Sequence, residues 1–129
     1  MAKVKLKEVI GGNFILALNK LSEQPVTATA AHALAKIHKR AVEEATEYEE
    51  ARQKALKKYA VTKEDGTLDA EEDGQIKFKT DDDKESAVKE IEELLEQEID
   101  LPQLKLSSIG DLKVDVGVIA TLDKVISED

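Results

Sequence analysis

The sequence predicts an α+β fold: a long-helix hairpin with a short N-terminal helix and a small three- or four-stranded sheet. Three observations carry this. Thirty-four consecutive residues, Thr27 to Ala60, contain neither glycine nor proline and are rich in Ala, Glu, Lys, Arg and Leu, the composition of a strong helix former. A second helical stripe, Val88, Ile91, Leu94 and Leu95, follows Asp81-Asp82-Asp83, carboxylates that suit the start of a helix. Before, between and after these helices lie short stretches that alternate apolar with polar residues, the period-2 mark of a half-buried strand.

In chain order, Lys3-Val4-Lys5-Leu6-Lys7 is the first strand, and its lysines suit an edge, where charge discourages further pairing. After Gly11-Gly12, Asn13 is placed to cap a short helix with Phe14, Ala17, Leu18 and Leu21 on one face; a start at Glu8 or Val9 fits the same stripe. Gln24-Pro25-Val26 breaks the chain, and Thr27 or Thr29 caps the long helix. Because the connection is so short, Phe14, Leu18 and Leu21 are expected against Leu34 and Ile37.

At about 1.5 Å per residue the long helix measures roughly 50 Å, more than its own chain readily covers. Its first half has apolar bulk for a core. Its second half offers mainly alanine and charge, and Ala41, Ala45, Tyr48, Arg52, Ala55 and Tyr59 form the candidate interaction surface, covered either by the helix around Ile91 and Leu95 or by another chain. Acids precede bases along this half, from Glu43 to Glu50 and then Arg52 to Lys58, the order that favours the helix dipole.

Residues 62–74 read as a flexible acidic loop with two Asp-Gly turns, Asp65-Gly66 and Asp73-Gly74, and no internal repeat is evident. Gln75 to Lys79 is the second strand, with Ile76 and Phe78 inward. A helix from Asp82 to Glu98 stops before Leu101-Pro102. Gln103 to Leu106 is a third strand, Gly110-Asp111 a turn, Leu112 to Val116 a fourth strand, and Val118 to Ile126 a final helix. The length suits one domain, 1–129.

Composition narrows the function classes. With no cysteine, disulfides, thiolate metal sites and cysteine nucleophiles are excluded. Two Phe, two Tyr and no Trp leave an aliphatic core, which disfavours aromatic-lined ligand pockets. No apolar run is long enough for a membrane span, and the lysine-alternating start is unlike a signal peptide. The net charge of −9 is unevenly spread: residues 1–40 carry +5, residues 41–100 carry −12 and residues 101–129 carry −2. An acidic middle disfavours direct binding to nucleic acid or anionic lipid. A soluble, unexported protein is expected.

No motif assembles a catalytic or cofactor site, so no catalytic residue, cofactor or metal is assigned. Asp69-Ala70-Glu71-Glu72-Asp73-Gly74-Gln75-Ile76 matches the first half of an EF-hand loop, but Lys77 and Thr80 stand at its ninth and twelfth positions, where the twelfth needs a bidentate Glu. A solvated acidic turn is the plainer reading, with weak divalent-cation binding as the alternative. Asp81-Asp82-Asp83 is read as a helix cap before a magnesium cluster. His32 and His38 lie about 240° apart around one helix and cannot share a metal within it. Gly11-Gly12-Asn13 lacks the rest of a phosphate-binding pattern. The acidic patch Glu64, Asp65, Asp69, Glu71, Glu72 and Asp73 could imitate a phosphate backbone.

The order of features, from the lysine-alternating strand through the Phe14 to Leu21 helix, the Pro25 break, the Glu-rich helix ending Lys57-Lys58-Tyr59 and the Gly66 loop to a strand-rich C-terminal part, resembles a family of short uncharacterised proteins of tailed bacteriophages and prophages. The resemblance implies a phage product made in the host bacterial cytoplasm or carried in the virion, and transfers no residue role. The function expected is non-enzymatic: a virion or assembly component, or a self-associating accessory factor, acting through a phage or host protein partner. The alternative is an acidic inhibitor of a host nucleic-acid-binding protein by phosphate mimicry.

Overall fold

The computed structural model describes residues 2–11, 13–105 and 116–127. The architecture is α+β, with long helices and small two-stranded sheets. The chain divides into two compact units, Met1–Ala45 with Gln97–Asp129, and Thr46–Glu96.

In the first unit, β1 (Ala2–Lys5) pairs antiparallel with β2 (Glu98–Leu101). The register sets Ala2 opposite Leu101 and Val4 opposite Ile99, while Lys3 faces Asp100 and Lys5 faces Glu98. One side of the ribbon is therefore apolar and the other joins opposite charges, a pairing that stabilises a ladder. Among the described residues β1 has β2 as its one partner and so remains an edge strand, as its lysines suggest. One expectation is corrected here: Glu98 belongs to a strand rather than a helix. Glu98-Ile99-Asp100-Leu101 has the complementary alternation that β1 needs, a fit visible only when residues almost a hundred positions apart are compared.

The strand gives way at Leu6 to α1 (Leu6–Ile10), so Leu6 and Lys7 are helical. The Lys5 N–H donates to the Glu8 carboxylate (3.2 Å), and the Leu6 N–H to the Gln97 carbonyl (2.8 Å). Helix α2 (Phe14–Ser22) starts after Asn13, as the stripe requires. Helix α3 (Ala28–Tyr59) begins with the Thr27 hydroxyl accepting from the Ala30 N–H (3.1 Å). Phe14, Leu18, Leu21, Leu34 and Ile37 share one buried cluster with Val4, Leu101 and Leu104, as the short connection anticipates.

Helix α5 (Val116–Thr121) packs on α2 and is followed by a 3-10 turn (Asp123–Val125) and β4 (Ile126–Ser127). The expected helix to Ile126 thus ends early. Leu122 and Val125 enter the core, and Ile126 pairs in parallel with Leu104 of β3 (Leu104–Lys105). Among the described residues the strands form two separate pairs rather than one three- or four-stranded sheet: β3 and β4 are only two residues each, and the expected strand 75–79 lies in the other unit. The expected Gly110-Asp111 turn and Leu112 to Val116 strand fall outside the described residues, save Val116, where α5 begins.

The second unit holds the remainder of α3, an excursion through residues 60–80, and α4 (Asp81–Leu95). Thr80, not an aspartate, caps α4: its hydroxyl accepts from the Asp83 N–H at 3.0 Å, leaving Asp81, Asp82 and Asp83 in the first turn. Lys58 Nζ lies 3.1 Å from the Glu90 carboxylate, joining α3 to α4. Leu56, Ala60 and Ala87 are the fully buried apolar residues of this unit.

Candidate functional site

The two features that stand out in the sequence, the α3 stripe and the acidic segment, are placed differently by the fold. Ala41 is fully buried within the first unit's core, so it offers no surface. Ala45 is half-buried. In the second unit Tyr48, Arg52, Ala55 and Tyr59 recur at spacings of four and three residues and all stay half-buried. The Arg52 guanidinium is held by Glu49 at 3.1 Å, and Lys58 Nζ lies 5.0 Å from the centre of the Tyr59 ring, a cation–π distance.

The acidic segment is a regular structure rather than an irregular loop. The Val61 N–H donates to the Lys77 carbonyl (2.9 Å), the Lys77 N–H to the Asp69 carbonyl (3.1 Å), and the Asp69 N–H to the Val61 carbonyl (2.9 Å). Three short segments thus close on one another in a ring, supported by bridges between Ala60 and Phe78, Thr62 and Leu68, and Ala70 and Ile76. Ring members recur every eight residues, and so does the sequence between them: Lys63-Glu64-Asp65-Gly66-Thr67-Leu68 matches Glu71-Glu72-Asp73-Gly74-Gln75-Ile76. This repeat escapes a reading that treats the stretch as polar loop, because little beyond Glu-Asp-Gly and the Leu/Ile position is common to both copies.

Each copy folds into the same turn. Gly66 and Gly74 take φ of 86° and 87°, a left-handed conformation that disfavours any side chain. Gly66 N–H donates to the Lys63 carbonyl and Gly74 N–H to the Glu71 carbonyl, both at 2.9 Å. Across each turn, Lys63 N–H reaches the Thr67 carbonyl and Glu71 N–H the Gln75 carbonyl, both at 2.7 Å. The aspartate before each glycine accepts from the residue two further on, the Asx pattern that favours such turns: Asp65 Oδ1 from the Thr67 N–H (3.0 Å) and hydroxyl (2.6 Å), Asp73 Oδ1 from the Gln75 N–H (3.0 Å). These Thr67 hydrogen bonds hold the Asp65 carboxyl below the usual aspartate range. The expected strand 75–79 reduces to the bridges at Ile76 and Phe78.

Of the six acidic candidates, Glu64, Asp65, Glu71, Glu72 and Asp73 are exposed, and Asp69 is half-buried with Lys77 Nζ 3.7 Å from its carboxylate. The half EF-hand match occupies the second turn, where Asp73 serves Gln75. Among the described residues no group of three or more His, Asp or Glu side chains is gathered so as to hold a metal ion. His32 is exposed and His38 is half-buried, the latter beside a groove of about 370 Å³ with Asn19, Ser22 and Leu34. A smaller cavity of about 230 Å³ lies between α2 and α5, with Leu16, exposed at 51%, and Lys20 on its rim. Leu16 falls off the buried stripe of its helix, so helical spacing gives no signal for it.

No helix among the described residues is long and apolar enough to cross a membrane. No known protein family, curated protein or solved structure matches this chain.

Proposed function

We propose that this chain is a non-enzymatic protein of a tailed bacteriophage, working in the host cytoplasm or the virion, that acts by binding another protein: a virion or assembly component, or a self-associating accessory factor. One observation carries the reading. In the second unit, Tyr48, Arg52, Ala55 and Tyr59 hold a helical stripe that its own unit leaves half-exposed, while its fully buried apolar residues are only Leu56, Ala60 and Ala87. So small a core buries little apolar area, and Tyr and Arg are the side chains that most often anchor protein interfaces. Light scattering over a range of concentrations, with and without Tyr48→Glu and Tyr59→Glu, tests the self-associating form. Co-purification from infected cells tests the form with a phage or host partner. A strict monomer that captures no phage or host protein through this stripe defeats the proposal.

A second reading, inhibition of a host nucleic-acid-binding protein by phosphate mimicry, has its own support. The ring and its two turns hold Glu64, Asp65, Glu71, Glu72 and Asp73 exposed on a hydrogen-bonded frame, and a prearranged charge array loses less entropy on binding. Capture from host lysate at low and high salt separates the readings. A basic partner released by salt favours mimicry; a salt-resistant partner lost with Tyr48→Glu favours the stripe.

A further inference from the structure

We infer that in the folded chain Asp73-Gly74 spontaneously isomerises to isoaspartate faster than Asp65-Gly66, and that Thr67 is what slows Asp65. In this reaction the glycine nitrogen attacks Cγ of the preceding aspartic acid. A new N–Cγ bond forms, the Cγ–O bond breaks, and the hydroxyl leaves with the amide proton as water. The resulting succinimide is reopened by water at either carbonyl, giving aspartate or a backbone that runs through the β-carboxyl. Glycine hinders the attack least, so both Asp-Gly steps are chemically competent.

The eight-residue repeat makes the two steps a controlled comparison. Both aspartates are exposed. Both glycines have nearly the same φ, and both glycine N–H groups donate to the carbonyl three residues back at 2.9 Å. The two turns differ in the hydrogen bonds made to the carboxylate. Asp65 Oδ1 accepts from both the N–H and the hydroxyl of Thr67, at 3.0 and 2.6 Å, whereas Asp73 Oδ1 accepts from the Gln75 N–H at 3.0 Å. Attack requires the neutral acid, with Cγ turned to the glycine nitrogen. The extra Thr67 hydroxyl opposes both requirements, because a hydrogen bond to a carboxylate favours its charged form and ties it toward residue 67. Isomerisation at Asp73 would add a methylene to the backbone of the turn closed by Glu71 and Gln75, and so disturb the ring that the neighbouring Lys77 completes.

The test is peptide mapping of the full chain aged at neutral pH. Cleavage after Lys63 and Lys77 releases one peptide carrying both steps, and fragmentation that breaks the N–Cα bond locates isoaspartate within it. The folded chain is expected to accumulate isoaspartate about five-fold faster at position 73 than at 65, the factor expected of one hydrogen bond of ordinary net strength. Concentrated urea should bring that ratio close to one. Thr67→Val should raise the rate at 65 to that at 73, and Gln75→Thr should slow position 73 without touching 65. Equal rates in the folded chain, a faster Asp65, no isoaspartate at 73, or an unchanged Asp65 rate in Thr67→Val would each overturn the inference.

Discussion

Lys3 of β1 stands directly opposite Asp100 of β2, and two positions along the same ladder Lys5 stands opposite Glu98. Facing opposite charges contribute about 0.2–1 kcal/mol, and facing like charges are destabilising. Lys3→Glu is therefore expected to lower stability by about that amount, and adding Asp100→Lys to recover it. A double-mutant cycle by urea denaturation measures the coupling; a cycle that sums to zero would show that the ladder rests on its apolar face alone.

The two faces of α2 should respond very differently to truncation. Leu21 is fully buried in the first unit's core, whereas Leu16 is 51% exposed. Leu21→Ala is expected to cost about 2–5 kcal/mol, the range for emptying a core leucine site. Leu16→Ala should stay within about 0.5 kcal/mol. Denaturation midpoints of the two variants decide the matter.

The contact between Lys124 and Glu8, at 2.5 Å, ties the C-terminal 3-10 turn to α1. The Lys124 hydrogen bond is the main cause holding the Glu8 carboxyl below its ordinary range. A carboxyl whose folded pKa is depressed contributes stability in full above its unfolded pKa, about 4.3 for glutamate, and loses it as pH falls through the lower folded value. Lys124→Met should therefore be less stable than the parent at neutral pH, with the gap closing on acidification. A gap that is constant with pH would assign the effect to packing of the lysine stem.

The ring of Val61, Asp69 and Lys77 should behave as one cooperative unit. Gly74, at φ 87°, cannot take a side chain without strain, so Gly74→Ala is expected to cost about 1–2 kcal/mol locally and to speed exchange of ring amides roughly ten-fold. Hydrogen exchange followed by NMR checks whether Val61, Asp69 and Lys77 amides accelerate together. Acceleration of Lys77 alone would mean that the three bonds open independently.

Capping of α4 offers a simpler check. Thr80→Ala removes the acceptor for the Asp83 N–H and is expected to cost about 1 kcal/mol. Asp82→Asn, a change in the first turn without that hydrogen bond, should cost less, and thermal denaturation can rank the two.

Features with a short-range cause are legible in the order of the residues. Thr27 opens α3, Asn13 precedes α2, and the Phe14, Leu18, Leu21, Leu34 and Ile37 core follows from helical spacing and a short connection. The candidate interaction stripe is legible only in part: spacing places Ala41 and Tyr48 on one face, but burial removes Ala41 and leaves Tyr48 half-exposed. In the acidic segment both Asp-Gly turns are readable, whereas the ring that relates them depends on backbone hydrogen bonds between residues eight and sixteen positions apart.

By itself, then, the sequence determined the α+β class, the long helix, the aliphatic core and the two Asp-Gly turns, because each rests on local propensity or on a period of side chains. Tertiary structure alone decided that Glu98–Leu101 leaves the helix to pair with Ala2–Lys5, that the strands among the described residues separate into two pairs, and that the acidic segment closes into a ring. A strand has no stable identity without the partner that accepts its hydrogen bonds, and here each partner lies where local pattern does not reach.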